Sequence, residues 1–483
     1  MKTQSCVGRL LATRQPVGGT TERESMSMRA KNLGLAAVAA TAALVLAACG
    51  GGSSSSESSS ASSSGSESSS SSASESSSSE APAEGGTVTI WASLDQPVID
   101  GLKAGLEPLA AEKGITVDWQ KVDDINSLII TTVQAGEVPD IALIPQPGVV
   151  RQLVDLGAAY PLDGVVDMAT LQSTMIPGEL EAGTFDGQLY GLLTSMNVKG
   201  LVWYPKAAWE AGGYAVPTTM DELLTLTATM AKDGQTPWCN GIESGGATGW
   251  PATDWMENLV MRYAGVDAYN AWVAGDIKFD SPEFREAAAV YETLFLTEDA
   301  YVNGGRKAIA STSFGDAATG LFTDKGGKPA CMMYMQGSFI TGFFPEDIQA
   351  DLDNKVGVFG LPTAKAGEAA PVEGGGDLSV LLTENPAAAT VLQLLTDPSV
   401  GIPAAQNSSY LSPFKTFDVA NYPGAITQQV AGIAYGASYF LFDGSDAMPA
   451  EVGAGTFWTE MTAWIAGQQS LDDAIANIDN SWP

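Results

Sequence analysis

From Thr87 to Ile144 the chain switches between two hydrophobic rhythms. Val88-Thr-Ile90-Trp91-Ala92-Ser93 alternates and is rich in β-formers, which predicts a strand. Residues 98–112 carry a helical pattern in which Pro108 predicts a kink, and 116–122 predict a second strand. Residues 124–135 then read as helix. Pro139-Asp140-Ile-Ala-Leu-Ile144 is a short apolar run of the kind buried in parallel sheets. Strand, helix, strand, helix, strand implies an α/β lobe with a parallel sheet. Ligands on such sheets sit outside the carboxyl ends of the strands, which marks the loops 93–97 and 145–148.

Helices follow. Thr218 with Asp221 predicts a capped start for 223–230, and Ser281-Pro282-Glu283 opens 284–296 with proline at the first helical position. Asn385-Pro386 opens another helix to 395. Near the end come 457–466 and then 471–478, the latter capped by Ser470 with Asp473. The pattern is mixed α/β, without an internal repeat.

The N-terminal region has a different character. Arg29 and Lys31 precede an apolar run from Leu33 through Val45 that is too short for a spanning helix, and Leu46-Ala47-Ala48 precedes Cys49. Basic patch, apolar stretch and small-residue site form a secretory signal, for which translation from Met26 or Met28 would suffice. Leu46-Ala47-Ala48-Cys49 resembles the lipobox of bacterial lipoproteins. That implies cleavage before Cys49, a diacylated thiol, and a chain held at the outer face of the cytoplasmic membrane; the alternative is an ordinary signal with a chance cysteine. From Ser53 to Glu80, 21 of 28 residues are Ser and 4 are Glu, too polar to bury a core. As a flexible coil, residues 50–86 would span roughly 30–40 Å, a leash for the domain behind them.

Beyond residue 86 the chain is long enough that two lobes are expected. Residues 1–48 hold six of the 23 basic and two of the 56 acidic residues, so the remainder carries 17 against 54, a net charge of −37. Such a surface repels nucleic acid and anionic lipid and disfavours strongly anionic ligands. With Cys6 upstream and Cys49 committed, Cys239 and Cys331 remain. An exported protein most simply pairs them; two buried free thiols are the other reading.

Histidine is absent, which removes the usual Ser/His/Asp and Cys/His nucleophile systems and the common catalytic zinc sites. Asp351-Leu-Asp353-Asn-Lys355 starts like a calcium loop, but Lys355 occupies a ligand position, so a solvated turn is expected. No metal or cofactor is expected elsewhere. Glycoside hydrolysis needs only two carboxylates, so carbohydrate cleavage stays open as an enzymatic alternative.

Several segments in order look like one family. Pro139-Asp140-Ile141, Leu189-Tyr190-Gly191, Asn197 and Leu201-Val-Trp-Tyr204 resemble extracellular solute-binding proteins of the maltose-binding type. The stretch from Thr236 through Trp250-Pro-Ala-Thr-Asp254-Trp255 resembles their α-glucoside branch, the sugar-binding lipoproteins of ABC importers. Gly374-Gly-Gly-Asp377-Leu378, Met448-Pro449-Ala450, Phe457-Trp458 and Ile478-Asp-Asn-Ser-Trp482 fit the same branch. One departure stands out: Met332-Met333-Tyr334-Met335 replaces a histidine-bearing stretch before Gln336, so the ligand can differ from the branch's usual one.

The resemblance implies a two-lobed, periplasmic-binding-protein-like fold (type II, maltose-binding-like) with a hinge and a central cleft. The expected lobes are 87–197 with 378–402, and 198–377 with 403–483. The chain is expected to cross between them near Asn197, 374–379 and 401–404, and the disulfide would lie within one lobe. The implied function is capture of a neutral sugar, an α-glucoside or other oligosaccharide, by a monomer that delivers it to an ABC permease.

A sugar needs carboxylates and amides for its hydroxyls and flat rings for its C–H face. Asp95, Gln96 and Gln146 lie in the loops that the sheet rule marks. Asn197 sits at a crossing, and Asp377 follows three glycines that let backbone approach a ligand. Trp250 and Trp255 flank Asp254, Phe339 follows Gln336-Gly337-Ser338, and Trp458 resembles the family's C-terminal stacking ring. The competing functions are a carbohydrate-cleaving enzyme and a binder of another solute, such as a peptide or polyamine.

Overall fold

Strands β1 (Thr87–Ala92), β2 (Thr116–Lys121) and β3 (Ile141–Ile144) pair in parallel, with β1 between the other two. The alternation in β1 is realised as full burial of Val88, Ile90 and Ala92, and the apolar run of β3 is buried throughout. These coordinates come from a computed structural model that describes residues 85–483 apart from 324, 325 and 327. The secretory signal, Cys49 and the serine-rich segment lie outside the described residues.

Helices α1 (Gln96–Glu112), α2 (Ile125–Ala135) and α3 (Pro147–Asp155) connect and follow these strands. α1 runs through Pro108 in one piece and begins two residues earlier than its apolar pattern. Asp124 caps α2 by accepting from the Ser127 N–H, and Gly136 at φ 79° ends it. Ser281, Asn385 and Ser470 cap their helices as the sequence predicts. The capping box expected at Thr218 and Asp221 is displaced by one residue. Thr219 accepts from the Glu222 N–H, while the Glu222 carboxylate reaches back to the Thr218 N–H.

After a small hairpin, β4 (Thr184–Phe185) with β5 (Gln188–Leu189), the chain enters β6 (Gly191–Val198). It then builds an antiparallel three-stranded sheet in which β7 (Leu201–Pro205) lies between β8 (Tyr334–Gln336) and β9 (Val356–Gly360). β10 (Val372–Leu381) returns to the first sheet, antiparallel to both β3 and β6, and β11 (Phe440–Phe442) extends it beside the start of β10.

The chain therefore passes between the sheets at Lys199–Gly200 and between β9 and β10. Residues 374–379 lie inside β10 rather than at a passage, because that strand fills the gap between β3 and β6. The helix Ile402–Asn407 packs so tightly on α1 that a Cβ on Gly101 would come within 2.3 Å of the Ala404 Cα. Residues 401–404 thus belong to the packing of the first sheet.

A second hydrophobic core, rich in rings (Trp238, Trp255, Trp272, Phe284, Phe457), covers the helices packed with the three-stranded sheet. Met332, Met333 and Met335, the departure from the family pattern, are buried in it. The segment around Asp353 is solvent-exposed as expected but forms a short helix, Leu352–Lys355, and the Asp353 carboxylate accepts from the Ala425 and Ile426 N–H groups at the start of another. Among the described residues, no helix is long and apolar enough to cross a membrane.

Cys239 and Cys331 form the disulfide, closing a loop across a sequence separation of 92. A loop of that length strongly restricts the unfolded chain. Replacing both cysteines with serine should lower unfolding stability by about 2–4 kcal/mol, read as a lower urea midpoint at unchanged slope.

Candidate functional site

A cavity of about 140 Å³ opens where the two sheets meet. Leu94, Asp95 and Val98 line it from the end of β1 and the start of α1. Ser195, Met196 and Asn197 come from the end of β6, Gly376 and Asp377 from β10, Ser338 and Phe339 from the segment after β8, and Ser409 and Tyr410 complete it. Larger hollows exist on the outer surface, such as one of about 540 Å³ lined by Asp163, Gln172 and Glu181. The smaller cavity collects four of the sequence candidates.

Those four are Asp95, Asn197, Phe339 and Asp377. Asp95 precedes α1, and its main-chain carbonyl accepts the first helical N–H bonds while its carboxylate makes no capping bond. Asn197 pairs with Gly375, and its buried Oδ1 accepts no hydrogen bond from any described residue. Asp377 is 8% exposed and accepts from the Ser195 hydroxyl at 2.7 Å. Burial pushes the Asp377 carboxyl up to about 6, the Ser195 hydrogen bond opposing it. The glycines before Asp377 serve β6 rather than a ligand: a Cβ on Gly376 would lie 2.0 Å from the Ser195 carbonyl.

Trp250 opens the helix Trp250–Tyr263, and its half-buried ring stands 5.8 Å from Phe339 and 5.0 Å from Phe314, edge to face. It extends the aromatic side of the cavity. Trp255 is 2% exposed, and its ring is enclosed by Trp238, Phe295 and Tyr291 in the second core. Gln96 turns outward to Asp100. Gln146, Asp254 and Trp458 lie apart from the cavity wall but meet in a buried ionic cluster beside it.

That cluster forms around Lys199, in the passage between β6 and β7. Gly200 makes the turn at φ 68°, and a Cβ there would strike the Asn258 side chain at 2.3 Å. The Lys199 ammonium, on a residue 8% exposed, bonds Asp254 at 2.8 Å and pairs with Asp443, the residue after β11. Its nitrogen also lies 5.3 Å from the centre of the Trp250 ring. Carboxylate oxygens of Asp254, Glu373 and Asp443 lie within 4.8 Å of one another, a spacing that suits a cation, and the Lys199 ammonium bonds two of them.

Glu257 accepts from the Gly444 and Ser445 N–H groups, and Asn258 donates to Glu373. Burial and neighbouring carboxylates push Glu257 and Glu373 well above the usual range. Burial likewise raises Asp254 to about 7 against the pull of Lys199. For Asp443 burial also pushes upward, but the Lys199 charge and hydrogen bond, with Ser445, hold it below the ordinary carboxylate value.

Lys199, Ser195 and Asp443 are the residues that sequence reasoning missed. The available signal was a single lysine between two apolar strands, 191–198 and 201–205, where solvent-facing alternation is absent.

A two-lobed α/β fold with a small polar and aromatic cleft at the lobe junction defines a solute-binding protein of the maltose-binding type. Residues 96–402 match the model of the bacterial extracellular solute-binding protein family, and the chain belongs to that family. The osmoprotective compounds-binding protein GgtB of Synechocystis sp. is 34% identical over 382 residues, 79% of this chain and 89% of its own. The alpha-glucosides-binding periplasmic protein AglE of Rhizobium meliloti is 35% identical over 413 residues, 83% of this chain and 87% of its own. A solved structure of the bacterial solute receptor AcbH covers 83% of this chain and 96% of that one, with a TM-score of 0.68 at 17% identity, a likeness of fold.

Proposed function

We propose that this protein is the substrate-binding lipoprotein of an ABC importer, anchored through Cys49, which captures a neutral sugar, an α-glucoside or related oligosaccharide, without chemical turnover. The observation that carries this reading is the pairing, across one cavity, of the Asp377 carboxylate and the unpartnered Asn197 Oδ1 with the ring of Phe339, which Trp250 backs from outside the wall. Buried acceptors without partners suit sugar hydroxyls, and flat rings suit the C–H face. Asp95 and Tyr410 complete the polar rim. AglE and GgtB, named for alpha-glucosides and osmoprotective compounds, support the choice of ligand class. The protein works as a monomer, and the leash lets it turn toward its permease.

The test is a thermal-shift and calorimetry panel of maltose, trehalose, sucrose and methyl α-glucoside, with spermidine and a tripeptide as contrasts. A fitting glycoside at 100 times its dissociation constant should stabilise the fold by about 2.7 kcal/mol. Stabilisation by spermidine or the peptide, with none by any glycoside, overturns the sugar reading. Release of glucose would overturn the absence of turnover.

A further inference from the structure

Besides Asp254, three of the candidate ligand side chains find their partners in the ionic cluster. The Trp458 indole N–H donates to the Ser445 hydroxyl at 3.1 Å, and that hydroxyl donates to Asp443 Oδ1 at 2.8 Å. Asp443 Oδ1 also accepts from the Asp446 N–H. The Asp446 carboxylate accepts from Gln146 Nε2 at 2.9 Å, while Gln146 Oε1 accepts from Asn126 at 3.0 Å. Trp250 lies against the Lys199 ammonium, which is paired with that same Asp443.

These side chains come from separate parts of the fold. Gln146 stands at the end of β3 in the first sheet. Trp250 and Trp458 each open a helix over the second core. The short segment 443–447 makes contacts with both α3 and the Trp250 helix. Asp443 therefore joins the two sides: one oxygen takes the lysine that faces Trp250, and the other takes the serine that holds Trp458. Neither Lys199, Asp443 nor Ser445 lines the cavity.

We propose that Lys199 and Asp443 are positioning residues for the ligand cleft: they fix the Trp250 ring, which stands against Phe339 of the cavity wall, while Ser445 and Asp446 tie the Trp458 ring and the Gln146 amide, beyond that wall, to the same unit. A ring held by one N–H bond and one ring held by a buried charge keep few alternative orientations. The ordering that a sugar would otherwise impose on binding is thereby made in advance. Removal of a link frees a ring to turn, and the cost then appears in affinity. A purely structural cluster would lower stability alone. Asp254 serves the same unit as the second anion on Lys199.

The affinity arm rests on the sugar-binding reading above; a spectroscopic arm does not. In protein labelled with 5-fluorotryptophan, Trp458→Phe and Trp250→Phe assign the two ¹⁹F resonances. Ser445→Ala, which removes one hydroxyl, should shift and broaden the Trp458 resonance and leave Trp250 in place. Asp443→Asn should move both. For the glycoside that binds best, Asp443→Asn should raise Kd about tenfold in the wild-type background and by less than twofold in Trp250→Phe, because the ring that the link positions is already gone. An unchanged Trp250 resonance in Asp443→Asn overturns the proposal whether or not any sugar binds. Equal losses of affinity in both backgrounds also overturn it. Clear resonance shifts with no glycoside binding by the wild type would sink the sugar reading and leave the positioning intact.

Discussion

Arg262→Met should lower the unfolding free energy by about 3–5 kcal/mol. The guanidinium is 7% exposed and donates to the carbonyls of Leu361 and Pro362 and to both the carbonyl and side-chain oxygen of Asn258. Burying it is costly in itself, and burial lowers its pKa to about 10. Methionine would relieve that cost. The loss wins because the partners stay behind: each buried acceptor left without a donor costs about 1–3 kcal/mol. Two of them belong to the passage between β9 and β10, so the damage falls where the lobes are joined. Urea unfolding followed by tryptophan fluorescence measures the loss. A variant within about 1 kcal/mol of wild type would mean that water replaces the guanidinium there, and the residue's structural role would have to be withdrawn.

Asp377→Asn should act in the opposite direction on stability and against function. The folded-state pKa of Asp377 is about 6, above the usual carboxylate value of about 4. The folded protein therefore holds this proton more tightly than the unfolded chain. This group's contribution to stability falls as pH rises from about 4 through about 6, and it levels off above that, for a total of about 3 kcal/mol. Asparagine keeps the shape and removes the titration. The variant should match wild type near pH 4 and exceed it by up to about 3 kcal/mol at pH 8, in a urea series across that range. On the proposed sugar-binding reading a charge-assisted hydrogen bond to a ligand hydroxyl would be lost at the same time, so affinity at pH 8 should fall roughly 10- to 100-fold. Stabilisation with unchanged affinity would take Asp377 out of the ligand contacts.

Wild-type affinity follows from the same titration. Binding that uses the ionised carboxylate should strengthen from pH 5 to pH 7.

Much of the first sheet was legible because β1 and β3 are apolar and rich in strand formers, and β2 alternates Val117 and Trp119 with polar residues. Caps were legible where a single candidate stood before the helix, as at Ser281 and Ser470. Thr218 and Thr219 are adjacent, as are Asp221 and Glu222, and that doubling caused the one-residue slip. Asp95 and Asn197 reach the cavity wall because strand ends place them, and Asp377 reaches it from inside β10, where three glycines in sequence mark a close strand approach. The Trp250 helix shows why Trp255 misled. Residues four apart share a face, so Trp250 and Asp254 meet around Lys199, while Trp255 is turned about 100° from Asp254 into the ring-filled core. The ionic cluster was hidden for another reason. Lys199, Asp254 and Asp443 are far apart in sequence, and no local periodicity records a meeting made by three separate returns of the chain.

β10 has a consequence for how this molecule comes into being. It is an interior strand, held between β3 and β6, yet it is made long after both. Until Val372 and its successors emerge, the N-terminal half exposes two open strand edges and cannot close its sheet. Closure of the first sheet therefore waits for residues 372–381, and truncation ahead of them leaves β3 and β6 without the strand that joins them.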